Sequence, residues 1–328
     1  MDTYDLTIAI VNYNTRDLLQ SCLTSVFSKT EDLSFQVVIV DNASRDDSVA
    51  MLREHFPQVK VIQNEKNVGF PSAVNQAMEI ANSRYFLLFN SDAAPLNNAF
   101  KIMIQFMDQH PKVGITGPQI YYPNGKPQKS HYPFRFPKGR ATWEVIPRIK
   151  KLIALLKGDT DYEYHYNKKP VVVPPQPHEI QWPRGVCFLI RGKVIEDIGF
   201  MDDNIFIYAD EVDFAWRAYK HGWERYLVPE ANVSHVENAS ISKHASLMNI
   251  VHVQSDYHYF YKHFGIRGWL YLRLGYFLGS LMALILGIVS TFYKQLRAEG
   301  VPQQHFTDFR GLFKLATLTS KVVPPDAR

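Results

Sequence analysis

The sequence predicts an α/β fold, a mixed and mostly parallel sheet flanked by helices, followed by a C-terminal helical membrane-associating segment. Three observations lead there. Strand-like and helix-like periods alternate through the first half, short turn-like links join them, and one late stretch carries no charge over nearly the depth of a bilayer core.

The strands and helices follow in order. Residues 6–11 are an apolar, β-branched run, and 17–27 then carry apolar side chains at helical spacing. A second buried strand lies at 37–40, followed by a polar stretch, a helix through Phe56 and a third strand at 59–62. Residues 71–81 read as a helix with small side chains facing a sheet, and 85–89 as a fourth strand. Strand, helix, strand with short links requires crossovers, and right-handed crossovers make neighbouring strands parallel with both faces covered. The loops after those strands share one edge, where ligands bind in such sheets.

The composition then changes. Between Pro118 and Pro183 lie 11 of the 19 prolines, so neither a continuous helix nor a central strand is expected there. One exception is 143–157, where Ile146, Ile149, Ile153 and Leu156 line one face and Arg148, Lys150, Lys151 and Lys157 decorate the rest, as in a basic amphipathic helix. Strand character resumes at 185–190 and 225–228, with an amphipathic helix at 211–220 between them. Residues 241–264 are aromatic and His-rich. The 19 residues 274–292 carry no formal charge and as a helix would extend roughly 28 Å, close to the ~30 Å of hydrocarbon. Lys262, Arg267 and Arg273 precede that run and Lys294 and Arg297 follow it, so basic charge selects no orientation. A span and an in-plane helix both stand. In the tail, Phe306, Phe309, Phe313 and Ala316 recur at helical spacing.

Composition also bounds function. With 328 residues, 46% hydrophobic and 21% charged, the chain can bury one large core or two smaller ones. The net charge of +4, from 36 basic and 32 acidic side chains, gives no field for a nucleic-acid partner. Cys22 and Cys187 have no metal or redox spacing, and no basic-then-apolar leader opens the sequence; a reducing compartment is expected.

Four clusters carry possible chemistry. Asp41 ends the second strand in Val-Asp-Asn-Ala-Ser, where it accepts a hydrogen bond from a base or ribose, or where it or Ser44 simply caps the next helix. Asn67-Val-Gly-Phe and Asn75 offer amides and a close backbone approach at the same edge, without a dinucleotide-binding glycine pattern. Asn90-Ser-Asp92-Ala follows the fourth strand, as a turn or as a carboxylate for a diphosphate-bridging cation. Asp210, Glu211 and Asp213 stand together after an apolar run, as helix-capping charge or as a site whose mutual repulsion raises one pKa toward that of a general base. Arg217 is spaced to pair with Asp213. His235 matters chemically only if the fold carries it to Asp92.

The order Ile-Val-Asn-Tyr-Asn, Val-Asp-Asn-Ala-Ser, Asn-Val-Gly-Phe with Asn75, Phe-Asn-Ser-Asp-Ala, Asp-Glu-Val-Asp and Ser-His-Val-Glu resembles the family 2 glycosyltransferases of the GT-A fold. Within them it is similar to bacterial rhamnosyltransferase-like enzymes of surface polysaccharide assembly. The resemblance covers residues 6–264 and implies a GT-A-type, Rossmann-like catalytic domain over 1–264, with a nucleotide-binding half at 1–117, an acceptor half at 118–264 and a membrane-associated helical region at 265–328. By the same likeness Asn12 and Asp41 are nucleotide contacts and Asn67 and Gly69 sit beside base and ribose, with Asn75, Asn90 and Arg184 also on the donor side. Asp92 matches the last acid of the family's metal motif. Asn90 stands where that motif has its first, so Asp92, His235 and the diphosphate would hold the Mg2+ or Mn2+. Glu211 falls at the catalytic-base position, with Asp210 in reserve and Asp213 as an orienting or acceptor-binding group.

The implied reaction is an inverting single displacement from a dTDP- or UDP-sugar, dTDP-rhamnose first and a UDP-hexose as the alternative. Its acceptor would be a polyprenyl-diphosphate-linked saccharide at the cytoplasmic face of the bacterial inner membrane. A non-catalytic, membrane-bound nucleotide-binding scaffold is the rival, supported by the departures at Asn90 and Asp210-Glu211.

Overall fold

The structure, a computed structural model, describes residues 4–132, 140–156, 171–236, 245–296 and 303–317. The first seven elements are β1 (Tyr4–Asn12), α1 (Arg16–Lys29), β2 (Phe35–Asp41), α2 (Ser48–His55), β3 (Lys60–Gln63), α3 (Phe70–Glu79) and β4 (Ser83–Phe89). They match the predicted alternation. Next come β5 (Ala93–Pro95), α4 (Ala99–Gln109), β6 (Val113–Tyr121), β7 (Pro127–Gln128), β8 (His131–Tyr132), α5 (Arg140–Leu156), β9 (His178–Glu179), β10 (Trp182–Pro183) and β11 (Cys187–Arg191). The last elements are α6 (Gly192–Ile198), α7 (Asp210–Lys220), β12 (Glu224–His235), α8 (Ala245–Leu296) and α9 (Gln303–Ala316).

The main sheet runs β3-β2-β1-β4-β11-β6-β12-β5, with β7 on β6 and β9 on β12. Pairings are parallel from β3 to β4 and between β6 and β12, while β11 and β5 run antiparallel to their neighbours. Both faces are covered, as the strands themselves record. Ile8 and Ile10 pack with Leu19, Leu23 and Phe100 on one side, and Ala9 packs with Val74, Ala77 and Phe214 on the other. A period of two, apolar on both phases, is what a sheet between two helical layers demands.

Two features depart from the sequence expectation. Although 118–183 is proline-rich, β6 is an interior strand that contains Pro118. Pro118 lies opposite Val228, where the β12 register slips to Asn232 against Gln119. That irregularity falls where proline leaves the ladder without a donor. β12 also runs on to His235, well beyond the short strand expected at 225–228.

The chain forms two compact units, one of residues 1–134, 171–252 and 323–328, the other of 135–170 and 253–322. Contacts thus divide the chain within α8 at 252/253 and group α5 with the later helices. α8 is broken at Gly265, whose φ of 61° and ψ of −156° are not helical. Lys157, Arg297 and residues 241–244 lie outside the described residues.

Candidate active site

At the carboxyl edge of the first strands, polar side chains bond one another. Asn12 and Asp41 end β1 and β2 as register partners. Asn12 Nδ2 donates to Asp41 Oδ2 at 2.8 Å and to Ser44 Oγ at 3.0 Å, and the Ser44 N–H donates to Asp41 Oδ1 at 2.9 Å. Asp41 is fully buried, and its oxygens accept from Asn12 and the Ser44 N–H; neither Asp41 nor Ser44 caps α2, whose N-cap position is Asp47. Thr15 donates to Asn12 Oδ1 and also bonds Ser91 Oγ, tying the loop after β1 to the loop after β4.

Asn42 is the hub of the neighbouring loop. Its Nδ2 donates to Asn67 Oδ1 at 3.0 Å and to the Gly69 carbonyl at 3.2 Å, while its Oδ1 accepts from Asn64 Nδ2 and the Val68 N–H. Gly69 has φ of +90°, and a Cβ there would stand 2.9 Å from the Phe206 carbonyl oxygen. Only glycine fits. The next residue, Phe70, donates its N–H to that same carbonyl at 2.7 Å. Asn75 lies one helical turn farther on, and both its amide atoms engage the Met201 main chain at 2.9 Å. Gly69, Phe70 and Asn75 therefore brace the segment leading to the acidic cluster, and Asn67 holds the Gly69 N–H. Asn42 was missed in the sequence because Asp41 beside it drew the attention, although an amide at a loop start is a recognisable turn signal.

His235 does reach Asp92. Ser234 and His235 pair with Ala94 and Ala93 across β12 and β5, and the Val236 N–H donates to the Asp92 carbonyl at 3.0 Å. His235 Nε2 lies 3.4 Å from Asp92 Oδ1, with side chains only 6% and 11% exposed. On the far side of the ring, Gln128 Oε1 accepts from Nδ1 at 2.8 Å. An imidazole fixed at one nitrogen by a carbonyl oxygen presents the other nitrogen's lone pair, the usual outer support of a metal ligand. Gln128 Nε2 is buried with no hydrogen-bond partner, a donor left over beside the pair. Nothing in Lys-Pro-Gln-Lys-Ser marks Gln128; pairing of β7 with β6 delivers it.

This pair fits a divalent cation in part. One carboxylate oxygen and one imidazole nitrogen face each other closely enough to share an ion, and no group of three or more His, Cys, Asp or Glu forms a full ligand set among the described residues. Diphosphate and water oxygens would complete such a shell.

The acidic cluster opens α7 after two strained residues, Tyr208 and Ala209, with φ of 65° and 59°. Non-glycine residues there cost energy that the surroundings must offset. The three acids then diverge. Asp213 is fully buried and paired with Arg217 Nε at 2.8 Å; Arg217 also donates to the carbonyls of Ile198 and Phe200 at 2.6 and 2.7 Å. That pair holds the end of α6 against α7. Asp210 is 3% exposed, and burial pushes its carboxyl well above the usual range, with the charge of Glu211 and a hydrogen bond to it adding to the rise. Glu211 is half-buried against Gly185, where a Cβ would meet its carboxyl carbon at 3.6 Å.

Short steps connect the two groups. Asn90, two residues before Asp92, donates its N–H to the Val186 carbonyl at 3.0 Å, and Gly185 adjoins Val186. Arg184 precedes it, its N–H bonded to the Ser130 carbonyl at 2.8 Å. There β8 and β10 form a two-stranded ribbon in which Tyr132 stacks on Trp182 at 5.3 Å and Lys129 Nζ sits 4.2 Å above the Tyr132 ring. Burial and then the charge of Arg184 lower the Lys129 pKa, so two cations share this flank.

Known proteins resemble this chain in sequence and fold. Residues 7–167 fit the sequence profile of Glycosyl transferase family 2. The N-acetylglucosaminyl-diphospho-decaprenol L-rhamnosyltransferase of Mycobacterium tuberculosis is 22% identical over 274 residues, covering 77% of this chain and 82% of its own. A low-salt glycan biosynthesis hexosyltransferase of Haloferax volcanii is 24% identical over 65% of this chain and 61% of its own. A mannosyltransferase of Pyrobaculum calidifontis, solved with GDP-Man and Mn2+, superposes with a TM-score of 0.55 at 14% identity, covering 96% of this chain and 86% of that one. At such identity the superposition speaks for the fold alone, and that fold is of the GT-A type. With the related transferases, the profile match shows a family 2 glycosyltransferase domain over residues 7–167, and the chain is a glycosyltransferase.

Proposed function

We propose that the protein is an inverting transferase, moving a sugar from a nucleotide-diphosphate donor to a polyprenyl-diphosphate-linked saccharide at the cytoplasmic face of a bacterial inner membrane. The observation that carries this reading is the pairing of Asp92 with His235, with Gln128 behind the ring. Two residues 143 positions apart, from a strand-end loop and a strand terminus, meet at the edge where the donor-side loops also end. The related rhamnosyltransferase, named for an N-acetylglucosaminyl-diphospho-decaprenol acceptor, favours rhamnose and a lipid diphosphate here. A dTDP-rhamnose donor is the first choice and a UDP-hexose the second.

In this reading Asp92 and His235 would hold Mg2+ or Mn2+, which would supply Lewis-acid stabilisation of charge on the leaving diphosphate. Gln128 Nε2 donates to a phosphate oxygen. The loops shaped by Asn12, Asp41, Asn42 and Asn67 receive base and ribose, with Asn90 beneath them. Asp210 keeps the proton of the buried acid pair, leaving Glu211 as the charged base. Glu211 takes the proton from the acceptor hydroxyl as that oxygen bonds to the anomeric carbon and the carbon–oxygen bond to the diphosphate breaks, with one inversion. Asp213, through Arg217, orients the helix that carries Glu211. Tyr132 and Trp182 offer a stacking wall for a sugar, and Lys129 and Arg184 offer charge for an acceptor phosphate.

The test is transfer of labelled sugar from a panel of nucleotide sugars to a short polyprenyl-diphosphate disaccharide precursor, with and without chelator. Chelator-sensitive transfer from dTDP-rhamnose is the expected result. Transfer from a UDP-hexose alone would move the donor to the second choice, and nucleotide binding without transfer or hydrolysis of any donor would leave the scaffold reading in its place.

A further inference from the structure

In the second compact unit, the helix after Gly265 is inside out. From 268 to 291 every exposed residue is large and apolar: Leu270, Leu274, Phe277, Leu278, Leu281 and Ile288, each at least 40% exposed. Seven of the ten buried positions in the same stretch are Gly, Ala or Ser, including Gly275 and Gly279, and the three larger ones are Leu272, Tyr276 and Leu286. A helix on a water-facing surface has the opposite arrangement. Small residues toward protein and large apolar ones outward is the pattern of a helix whose solvent is lipid.

We infer that this helix lies in the plane of a bilayer surface and does not cross it. Its protein-facing side is covered by the segment before Gly265, which folds back along it. Tyr257 meets Trp269 and Tyr276 at 6.3 and 6.1 Å, and Phe260 meets Tyr271 at 6.3 Å. Gly268 permits the close crossing, since a Cβ there would lie 2.7 Å from the Phe260 carbonyl oxygen. That covering segment carries Ser255, Asp256, His258, Lys262 and His263, and the Arg273 guanidinium stands 3.9 Å over the Trp269 ring within the helix itself. Polar groups at that density do not enter hydrocarbon. The uncharged remainder beyond Tyr276, residues 277–293, would extend only about 26 Å, short of the ~30 Å a span requires. The exposed stripe, by contrast, starts at Ile266 beside the polar segment and runs about 33 Å to Ile288. It can be used whole only lying flat.

Charge names the occupant as an anionic lipid surface. Lys262 and Arg267 are exposed at the start of the stripe, and α9 places exposed Arg310 and Lys314 around exposed Phe313. In the same unit α5 exposes Ile146, Ile149 and Ile153 on one face, with Arg148, Lys150 and Lys151 among them in sequence. Apolar faces ringed by cations are built for phosphate headgroups above acyl chains. The inference deepens the membrane part of the proposed function and is independent of its donor chemistry.

Depth measurement tests it. Cys22 and Cys187 are buried free thiols, so a fluorophore can be directed to single cysteines introduced at Leu270, Phe277, Leu281 and Ile288 of the full chain. Quenching is read with bromine-labelled lipids in phosphatidylethanolamine–phosphatidylglycerol vesicles. Equal, shallow depth at all four positions is expected. A profile deepest at Phe277 and Leu281, with the two ends shallow, would overturn the in-plane arrangement while keeping the membrane. No quenching anywhere, with the stripe protected by a second copy in solution, would overturn both. Leu274→Glu should weaken vesicle binding on the order of tenfold or more. The same variant should leave transfer to a short water-soluble acceptor unchanged, which separates this test from failure of the catalytic reading.

Discussion

The two ends of the candidate site are built from different materials. On the donor side, Asn42 bonds Asn64 and Asn67, Asn12 bonds Asp41 and Ser44, and the one acid among them, Asp41, has both oxygens engaged. On the acceptor side stand two strained residues, a buried acid held above its usual pKa, a buried ion pair and two neighbouring cations. Neutral amides saturate each other at little electrostatic cost and set a fixed shape for a ligand that is only held. Buried acids are costly, and within the candidate site all but Asp41 gather in the Asp210–Asp213 cluster, where the proposed reaction would move a proton. In the proposed reaction the Asp92–His235 pair would join the two sides by holding the diphosphate.

The contrast can be broken most severely at that junction. Asp92→Ala removes the carboxylate opposite His235, and several kcal/mol of charge stabilisation in the transition state goes with it. A loss on the order of 10³-fold or more in kcat is expected from labelled-sugar transfer, against smaller changes from any donor-side amide. Near-normal turnover would mean that the pair is merely a strand-end contact.

Glu211→Gln sharpens the other side. It keeps shape and removes the base, so kcat should fall roughly 10²- to 10⁴-fold while the Kd for the nucleotide donor stays as it was. Calorimetric titration beside turnover reads both. Should turnover survive, Asp210 takes the role.

Much of this division was legible before any coordinates. Strand ends carrying Asn12 and Asp41 follow from period alone, because alternating strands and helices put those ends on one edge. The three acids of Asp-Glu-Val-Asp also stood out, yet sequence treats them as one cluster. Helical geometry separates them: Asp210 and Asp213 turn inward, three residues apart, and Glu211 alone is left beside Gly185. Interior β6 was hidden by Pro118, whose cost is absorbed by a bulge in a strand more than a hundred residues away. Gln128 and the strained Tyr208-Ala209 step were equally hidden, since neither residue type favours its position; tertiary contacts impose both.

Arg217→Met probes the ion pair that spans α6 and α7. Asp213 would be left charged and fully buried, a loss of about 3 kcal/mol in unfolding free energy by analogy with other broken buried pairs. Chemical denaturation measures it. Turnover per folded molecule should fall far less than in Glu211→Gln, since Arg217 acts only by fixing the helix. An equal fall in both would place Asp213 in the reaction itself.

The smallest effect should be the most diagnostic of the acid pair. Asp210 has a folded-state pKa well above the ordinary 3.8, because burial and the charge of Glu211 favour its protonated form. Between the unfolded and folded values the native state therefore binds more protons than the unfolded state, and stability falls as pH rises through that window. Asp210→Asn keeps a neutral, hydrogen-bonding group and takes no part in that titration. Its denaturation free energy should lose less than wild type does as pH rises from acid to neutral, the two curves lying nearest together at the acid end. Curves that run parallel would show that Asp210 titrates as it does in the unfolded chain. Glu211 would then have no protonated neighbour to set it apart as the base, and the acid side of the site would be no more specialised than the amide side.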